Sequence, residues 1–260
     1  MLLPRIIPCL LVKNGGLVKT VNFAQPKYVG DPINAVRIFN EKEVDELIVL
    51  DIDATAQNRE PGYGRIKNLA AECRMPLCYG GGVKTVEQIE KIINLGVEKV
   101  AMSSAALSEP DIIARAAEVV GAQSIVVVMD VKKSGPGGKY ELMTHNGTRR
   151  TGLSAFDAAE KAERLGAGEV VINSIDRDGV MKGYDLDLVH KVHEAVNLPI
   201  TVLGGAGSPE DLATLIRTFG IVGAGAGSLF VFKGKYRAVL INYPDRKQKD
   251  AILRSAGFIA

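Results

Sequence analysis

Carboxylates gather where apolar runs end. Asp51 and Asp53 follow Leu47-Ile48-Val49-Leu50, Asp130 closes Ile125-Val126-Val127-Val128-Met129, and Asp176 and Asp178 follow Val170-Val171-Ile172 and a short polar step. Carboxylates crowded in a low-dielectric mouth shift one another's pKa and suit general acid/base work. Lys19, in the segment after the first apolar run, could reach the same place. Glycine pairs form a second group. Gly81-Gly82 and Gly204-Gly205 each follow an apolar run and precede a helical pattern, and the next runs end in Ser103-Ser104 and Gly227-Ser228. Such glycines let backbone N–H groups approach an anion, and a helix start adds partial positive charge. One pair alone reads equally well as tight turn packing; two pairs favour a ligand with two anionic ends. The third group is Arg5, Glu46, Lys99 and Glu169, which stand before or at the start of apolar runs. Two positive and two negative groups there form either a stabilising salt-bridge network or a gate across a passage. His190 and His193 lie three apart on a helical pattern without a third ligand, so no metal site is expected.

The elements that must position these groups are eight short apolar runs, at 6–12, 47–52, 77–79, 99–102, 124–130, 170–174, 200–203 and 221–226. Their continuous apolar character is that of parallel strands covered on both faces. Between them lie segments with the spacing of a helix face, such as Val86-Ile89-Ile92-Ile93 and Phe156-Ala159-Ala162-Leu165. Asp31-Pro32, Ser108-Glu109-Pro110 and Ser208-Pro209-Glu210 read as helix starts. Eight β/α units in one chain predict an α/β protein of the (β/α)8 TIM-barrel class, a single domain over 1–260; a doubly wound sheet fits the count less well. In a barrel, strand ends face the active-site mouth and strand starts face the bottom. Asp130 is then the first catalytic candidate, with loop capping or pairing to Lys132 or Lys133 as the alternative. Residues 13–30 and 131–152 read as long loops on the mouth side, the second with a small hairpin around 139–145, as lids and binding loops often are.

Composition excludes several classes. The net charge of +2 gives no reason to expect nucleic acid, and no segment approaches the roughly 18 apolar residues of a membrane span. Cys9, Cys73 and Cys78 have no metal-ligand spacing and read as reduced core thiols, which suits a cytoplasmic protein without a cofactor.

The halves of the chain resemble each other. Met75-Pro76-Leu77-Cys78-Tyr79-Gly80-Gly81 recurs 123 residues on around Leu198-Pro199-Ile200, and Glu46-Leu47-Ile48-Val49 recurs as Glu169-Val170-Val171-Ile172. This suggests duplicated half-barrels, about 1–120 and 121–250. Aligning Ile6-Ile7 with Ile125-Val126 places Leu11 opposite Asp130.

RIIPCL at the N-terminus, LDI at 50–52, GGGV at 80–83, IDRDG at 175–179, GYD at 183–185 and GGAG at 204–207 resemble the cyclase subunit of imidazole glycerol phosphate synthase over nearly the whole chain. The resemblance implies a barrel of histidine biosynthesis whose bottom face docks a class I glutaminase subunit. Ammonia released there crosses the barrel and reacts with a substrate carrying a phosphate at each end. It further implies that Arg5, Glu46, Lys99 and Glu169 form the ammonia gate. Gly82 with Ser104, and Gly205 with Ser228, would hold the phosphates beside Gly81, Ser103, Gly204 and Gly227. Asp130 would be a catalytic acid/base with Lys19, Asp51 and Asp178 nearby. Ser103 stands where the family usually has Asn. Leu11 stands where the family carries its second catalytic Asp. Losing such a group costs about 100-fold to 10,000-fold in rate. The tail GSLFVFKGKYRAVLINYP, 227–244, resembles a paralogous branch associated with acetamidino-sugar formation for surface glycans. There the barrel and glutaminase are thought to supply ammonia to a separate sugar amidotransferase. That reading leads, ahead of a true cyclase with a substitute for the missing Asp, and of a silent scaffold that activates its partners.

Overall fold

The computed structural model describes residues 3–135 and 137–259. Eight parallel strands close on themselves: β1 (Arg5–Lys13), β2 (Leu47–Asp51), β3 (Leu77–Gly80), β4 (Lys99–Met102), β5 (Ile125–Ser134), β6 (Glu169–Ser174), β7 (Ile200–Leu203) and β8 (Gly223–Ala226). Closure is direct, since Arg5 of β1 registers with Gly223 of β8 and Val126 of β5 with Glu169 of β6. Each strand is followed by a helix: α1 (Pro32–Glu41), α2 (Tyr63–Glu72), α3 (Val86–Asn94), α4 (Asp111–Val120), α5 (Ala155–Arg164), α6 (Leu186–Ala195), α7 (Pro209–Phe219) and α8 (Arg246–Ser255). The chain is a (β/α)8 barrel. No helix among the described residues is long and apolar enough to cross a membrane.

Side-chain alternation divides the apolar residues into two cores. Ile6, Leu10 and Val12 of β1 pack outward, against the helices. Ile7 and Cys9 instead join Ile48, Cys78, Ala101, Val126, Val128, Val171 and Leu203 inside the barrel. This two-residue step sets three levels. Arg5, Glu46, Lys99 and Glu169 come first, the inner core second, and Leu11, Ser103, Asp130 and Asn173 third, at the mouth.

Local sequence explains the helix starts. Asp31 accepts the backbone N–H of Asn34 ahead of α1, and Ser208 with Asp211 closes a capping box on α7. Ser108 departs from expectation. It ends a short helix, Ser104–Ser108, and Pro110 precedes α4 without a side-chain cap.

Both inserted segments differ from simple loops. Residues 13–30 form a hairpin in which Gly16–Val21 pairs with the end of β1 and with Ala24–Gly30. In the second segment β5 runs on to Ser134 and pairs with Lys139–Thr144, which pairs in turn with Arg149–Ser154. Antiparallel pairing satisfies the backbone groups that a bare loop would leave to water. Cys9 and Cys78 are buried, Cys73 is half-buried, and all three are free thiols.

Candidate functional site

At the bottom of the barrel the four charged residues form an alternating ring. Arg5 bridges the two carboxylates, reaching Glu169 at 2.8 Å and also pairing with Glu46. Lys99 Nζ bridges them again, 2.9 Å from Glu46 and 2.8 Å from Glu169. Both glutamate side chains are about 95% enclosed, while Arg5 and Lys99 are partly open at 28% and 19%. Burial pushes the Glu169 carboxyl up, but Arg5 and Lys99 together hold it below its ordinary range. The cations respond in the opposite sense: burial lowers both, and the glutamates outweigh it and raise them. Thr201 completes the ring by donating to Glu169 at 2.6 Å. Thr201 lies near the start of β7, in register with Val171, and its place in a strand gave no signal for this role.

The mouth holds a cavity of about 770 Å³. Lys19, Asp51, Gly81, Gly82, Ser103, Ser104, Asp130, Asp178, Gly204, Gly205, Gly227 and Ser228 all line it. Asp53 and Asp176 do not: Asp53 pairs with Lys13 at 3.5 Å, and Asp176 accepts the Lys133 backbone N–H at 2.8 Å.

The lining carboxylates differ in what they can do. Asp51 is neutralised by Arg59 at 3.2 Å and Arg65 at 3.6 Å, partners that lie in the following loop and helix. Asp178 accepts from the Thr20 hydroxyl at 2.6 Å and the Phe23 backbone at 3.1 Å, which ties the first hairpin to the mouth. Burial raises its pKa, against these bonds and Lys19. Asp130 is pushed up to about 6 by burial, with Asp178 adding and a 2.9 Å bond from Asn173 opposing. A carboxyl poised near neutral pH can both give and take a proton. Among the described residues its side-chain partner is Asn173; the Lys133 ammonium instead lies 5.1 Å from the centre of the Tyr140 ring. The lysine-pairing alternative for Asp130 therefore falls away.

Lys19 is buried and donates to the Cys9 carbonyl at 2.6 Å. Burial lowers its pKa, while Asp178 pulls it upward. Directly across the barrel from Asp130, four strands round the closed sheet, β1 presents Leu11 to the cavity. Leu50, Val128, Leu203 and Ala226 also line the cavity and give it an apolar lining beside Leu11.

The glycine pairs occupy equivalent turns. Gly81 and Gly82 have φ of 122° and 75°, and Gly204 and Gly205 have 91° and 113°, in the region that favours glycine. A Cβ on Gly82 would come 2.6 Å from the Arg59 carbonyl, and one on Gly204 2.6 Å from that of Ser174. The turns thus need glycine for packing as well as for any ligand. The Ser103 hydroxyl is buried beside the first pair with no hydrogen-bond partner.

Comparison with known proteins agrees with this geometry. The family described as histidine biosynthesis protein matches residues 5–237. A protein of Leptospira interrogans is 56% identical over 97% of this chain and 99% of its own length. One from Vibrio vulnificus is 57% identical over 97% of each. Both carry, provisionally, the name imidazole glycerol phosphate synthase subunit HisF. A protein of Alkaliphilus metalliredigens named without that qualification is 42% identical over 82% of this chain and 84% of its own. The chain belongs to the histidine biosynthesis protein family.

Proposed function

We propose that this member of the family is the barrel subunit of a glutaminase-coupled complex that delivers ammonia for amidination of a surface-glycan sugar. A class I glutaminase would dock on the bottom face. Ammonia would pass the Arg5–Glu46–Lys99–Glu169 ring, cross the barrel and leave by the mouth towards a sugar amidotransferase. The single observation that carries the reading is Leu11. Ring closure to an imidazole calls for proton transfers on both sides of the bound substrate, and the side facing Asp130 offers a hydrocarbon.

The interior chemistry supports conveyance. The second level of the barrel is apolar, which admits neutral ammonia far more readily than ammonium. The charged ring beneath it costs an incoming cation its solvation and places Lys99 and Arg5 against it. Lys99 spans both glutamates on a single flexible stem, so its displacement would open the ring while Arg5 stays paired with both carboxylates. At the mouth, Asp130, Asp178 and Lys19 can still hold and exchange a proton. The glycine turns with Ser104 and Ser228 would seat a phosphorylated small molecule.

A true cyclase of histidine biosynthesis is the second reading, favoured by the names of the relatives and by the retained Asp130. The two separate on one assay of the purified chain with the bis-phosphorylated cyclase substrate and free ammonia. The delivery reading expects no imidazole product. Turnover in the ordinary enzyme range, roughly 1–1,000 per second, would overturn it.

A further inference from the structure

The carboxylates Asp51, Glu109, Asp130 and Asp178 share the cavity lining with four cations, Lys13, Lys19, Lys84 and Arg149. Lys19 lies against Gly227 and the Cys9 carbonyl and faces Asp178, and Lys13 is paired with Asp53. Lys84 and Arg149 remain. Among the described residues neither has a carboxylate within 4 Å; the Lys84 ammonium bonds to the Asn58 amide oxygen. Arg59 and Arg65, nearby, are committed to Asp51.

His145 lines the same cavity as both cations, its ring nitrogen 3.1 Å from the Thr144 hydroxyl. Its pKa is lowered by burial first and then by Arg149 and Lys84, which places the three groups within electrostatic reach. His145, Asn146 and Gly147 have φ of 53°, 57° and 71°, a left-handed run that ordinary residues avoid. The turn is held by the Thr148 hydroxyl on the His145 carbonyl at 2.6 Å and by Asn146 on Asp53 at 3.4 Å. These are conformations of the tight turn that joins the antiparallel strands Lys139–Thr144 and Arg149–Ser154. On the same side, the buried Ser103 hydroxyl lacks a partner and lines the cavity. Lys84 follows Gly82 by two residues, so these groups continue the Gly81-Gly82 turn outward to the rim.

We propose that Lys84, His145 and Arg149 form a further anion seat beyond the Gly81-Gly82 turn, so that the cavity takes a ligand whose end on this side is a diphosphate. The chemical class is a diphosphate ester, as in a nucleoside diphosphate-linked compound. One phosphoryl group lies at the Gly81-Gly82 turn with the Ser103 hydroxyl, and the next meets the rim cations. The opposite end, with Lys19 offset by Asp178, accommodates less charge. This inference rests on the phosphate seat proposed at the Gly81-Gly82 turn and not on ammonia delivery, so its failure would leave the ammonia reading untouched.

The test is calorimetric titration with inorganic pyrophosphate and, separately, orthophosphate at fixed ionic strength. Charge-assisted bonds to the rim are expected to give pyrophosphate an advantage of about tenfold or more. Lys84→Ala/Arg149→Ala should bring the two anions within about threefold. Lys233→Ala/Lys235→Ala, which removes the same charge from the exposed tail hairpin, should keep the advantage. In a parallel NMR titration, pyrophosphate should raise the pKa of His145. Equal affinities in the unmodified protein, no binding of either anion, an advantage that survives Lys84→Ala/Arg149→Ala, or an unmoved His145 would each overturn the proposal.

Discussion

Replacing Asp130 by Asn should stabilise the protein, and only above a definite pH. The folded carboxyl is raised from 3.8 to about 6 by its enclosure under the mouth. Each tenfold change in proton affinity is worth about 1.4 kcal/mol, so ionising Asp130 in the fold costs on the order of 3 kcal/mol more than in the unfolded chain. Water in the cavity reduces this, and about 2 kcal/mol is the working figure. The sign follows from linkage. A carboxyl with a raised folded pKa favours the fold while both states are protonated, so nothing is lost below about pH 4. Stability then falls as the pH rises towards 6, because the unfolded chain releases its proton first, and the loss is complete above 6. Asn cannot ionise, and its side-chain oxygen can still accept the bond that Asn173 donates to Asp130 at 2.9 Å. Urea unfolding of both proteins from pH 4 to pH 8 should give curves that coincide at the acid end and diverge to about 2 kcal/mol in favour of Asp130→Asn. A gap that is constant with pH, or a variant less stable at pH 8, would refute the assignment of Asp130 as a half-buried, poised acid.

Lys99→Ala leaves two enclosed glutamates sharing Arg5 alone, and should cost about 2–4 kcal/mol by chemical denaturation. If the ring also gates ammonia, the same substitution should change the yield of the coupled reaction from glutamine relative to that from free ammonia; an equal loss with both sources argues against a gate. Tyr243→Phe removes a buried 2.9 Å bond to the Ile6 carbonyl and should lower stability by about 1–2 kcal/mol without touching the mouth. Gly205→Ala forces a side chain against the Gly183 carbonyl at a φ of 113°, and should cost about 2–4 kcal/mol, read as a lowered denaturation midpoint.

Most of the barrel was legible because a parallel strand buried on both faces leaves an uninterrupted apolar run, and every such run became a strand within a few residues of its expected limits. The levels of the interior were legible for a related reason: a period of two places Arg5, Cys9 and Leu11 on one side of β1 and Ile6 and Leu10 on the other. What sequence concealed were partners distant along the chain or irregularly spaced. Asp51 read as a free mouth carboxylate because nothing in its own segment signals that Arg59 and Arg65 fold back onto it. Asn173 is an ordinary strand residue until β5 and β6 align it with Asp130. The hairpin in 13–30 was hidden because its outer strand, Ala24–Gly30, is largely exposed and carries little apolar alternation.

The central claim is that Leu11 has replaced one half of an acid/base pair in a barrel that otherwise keeps its site. Ammonia-dependent imidazole formation by the unmodified chain and by Leu11→Asp, measured side by side on the bis-phosphorylated cyclase substrate, tests it most directly. The account predicts no detectable product from the unmodified chain and a gain of about 100-fold or more over that background from Leu11→Asp. Comparable turnover by both proteins would contradict it.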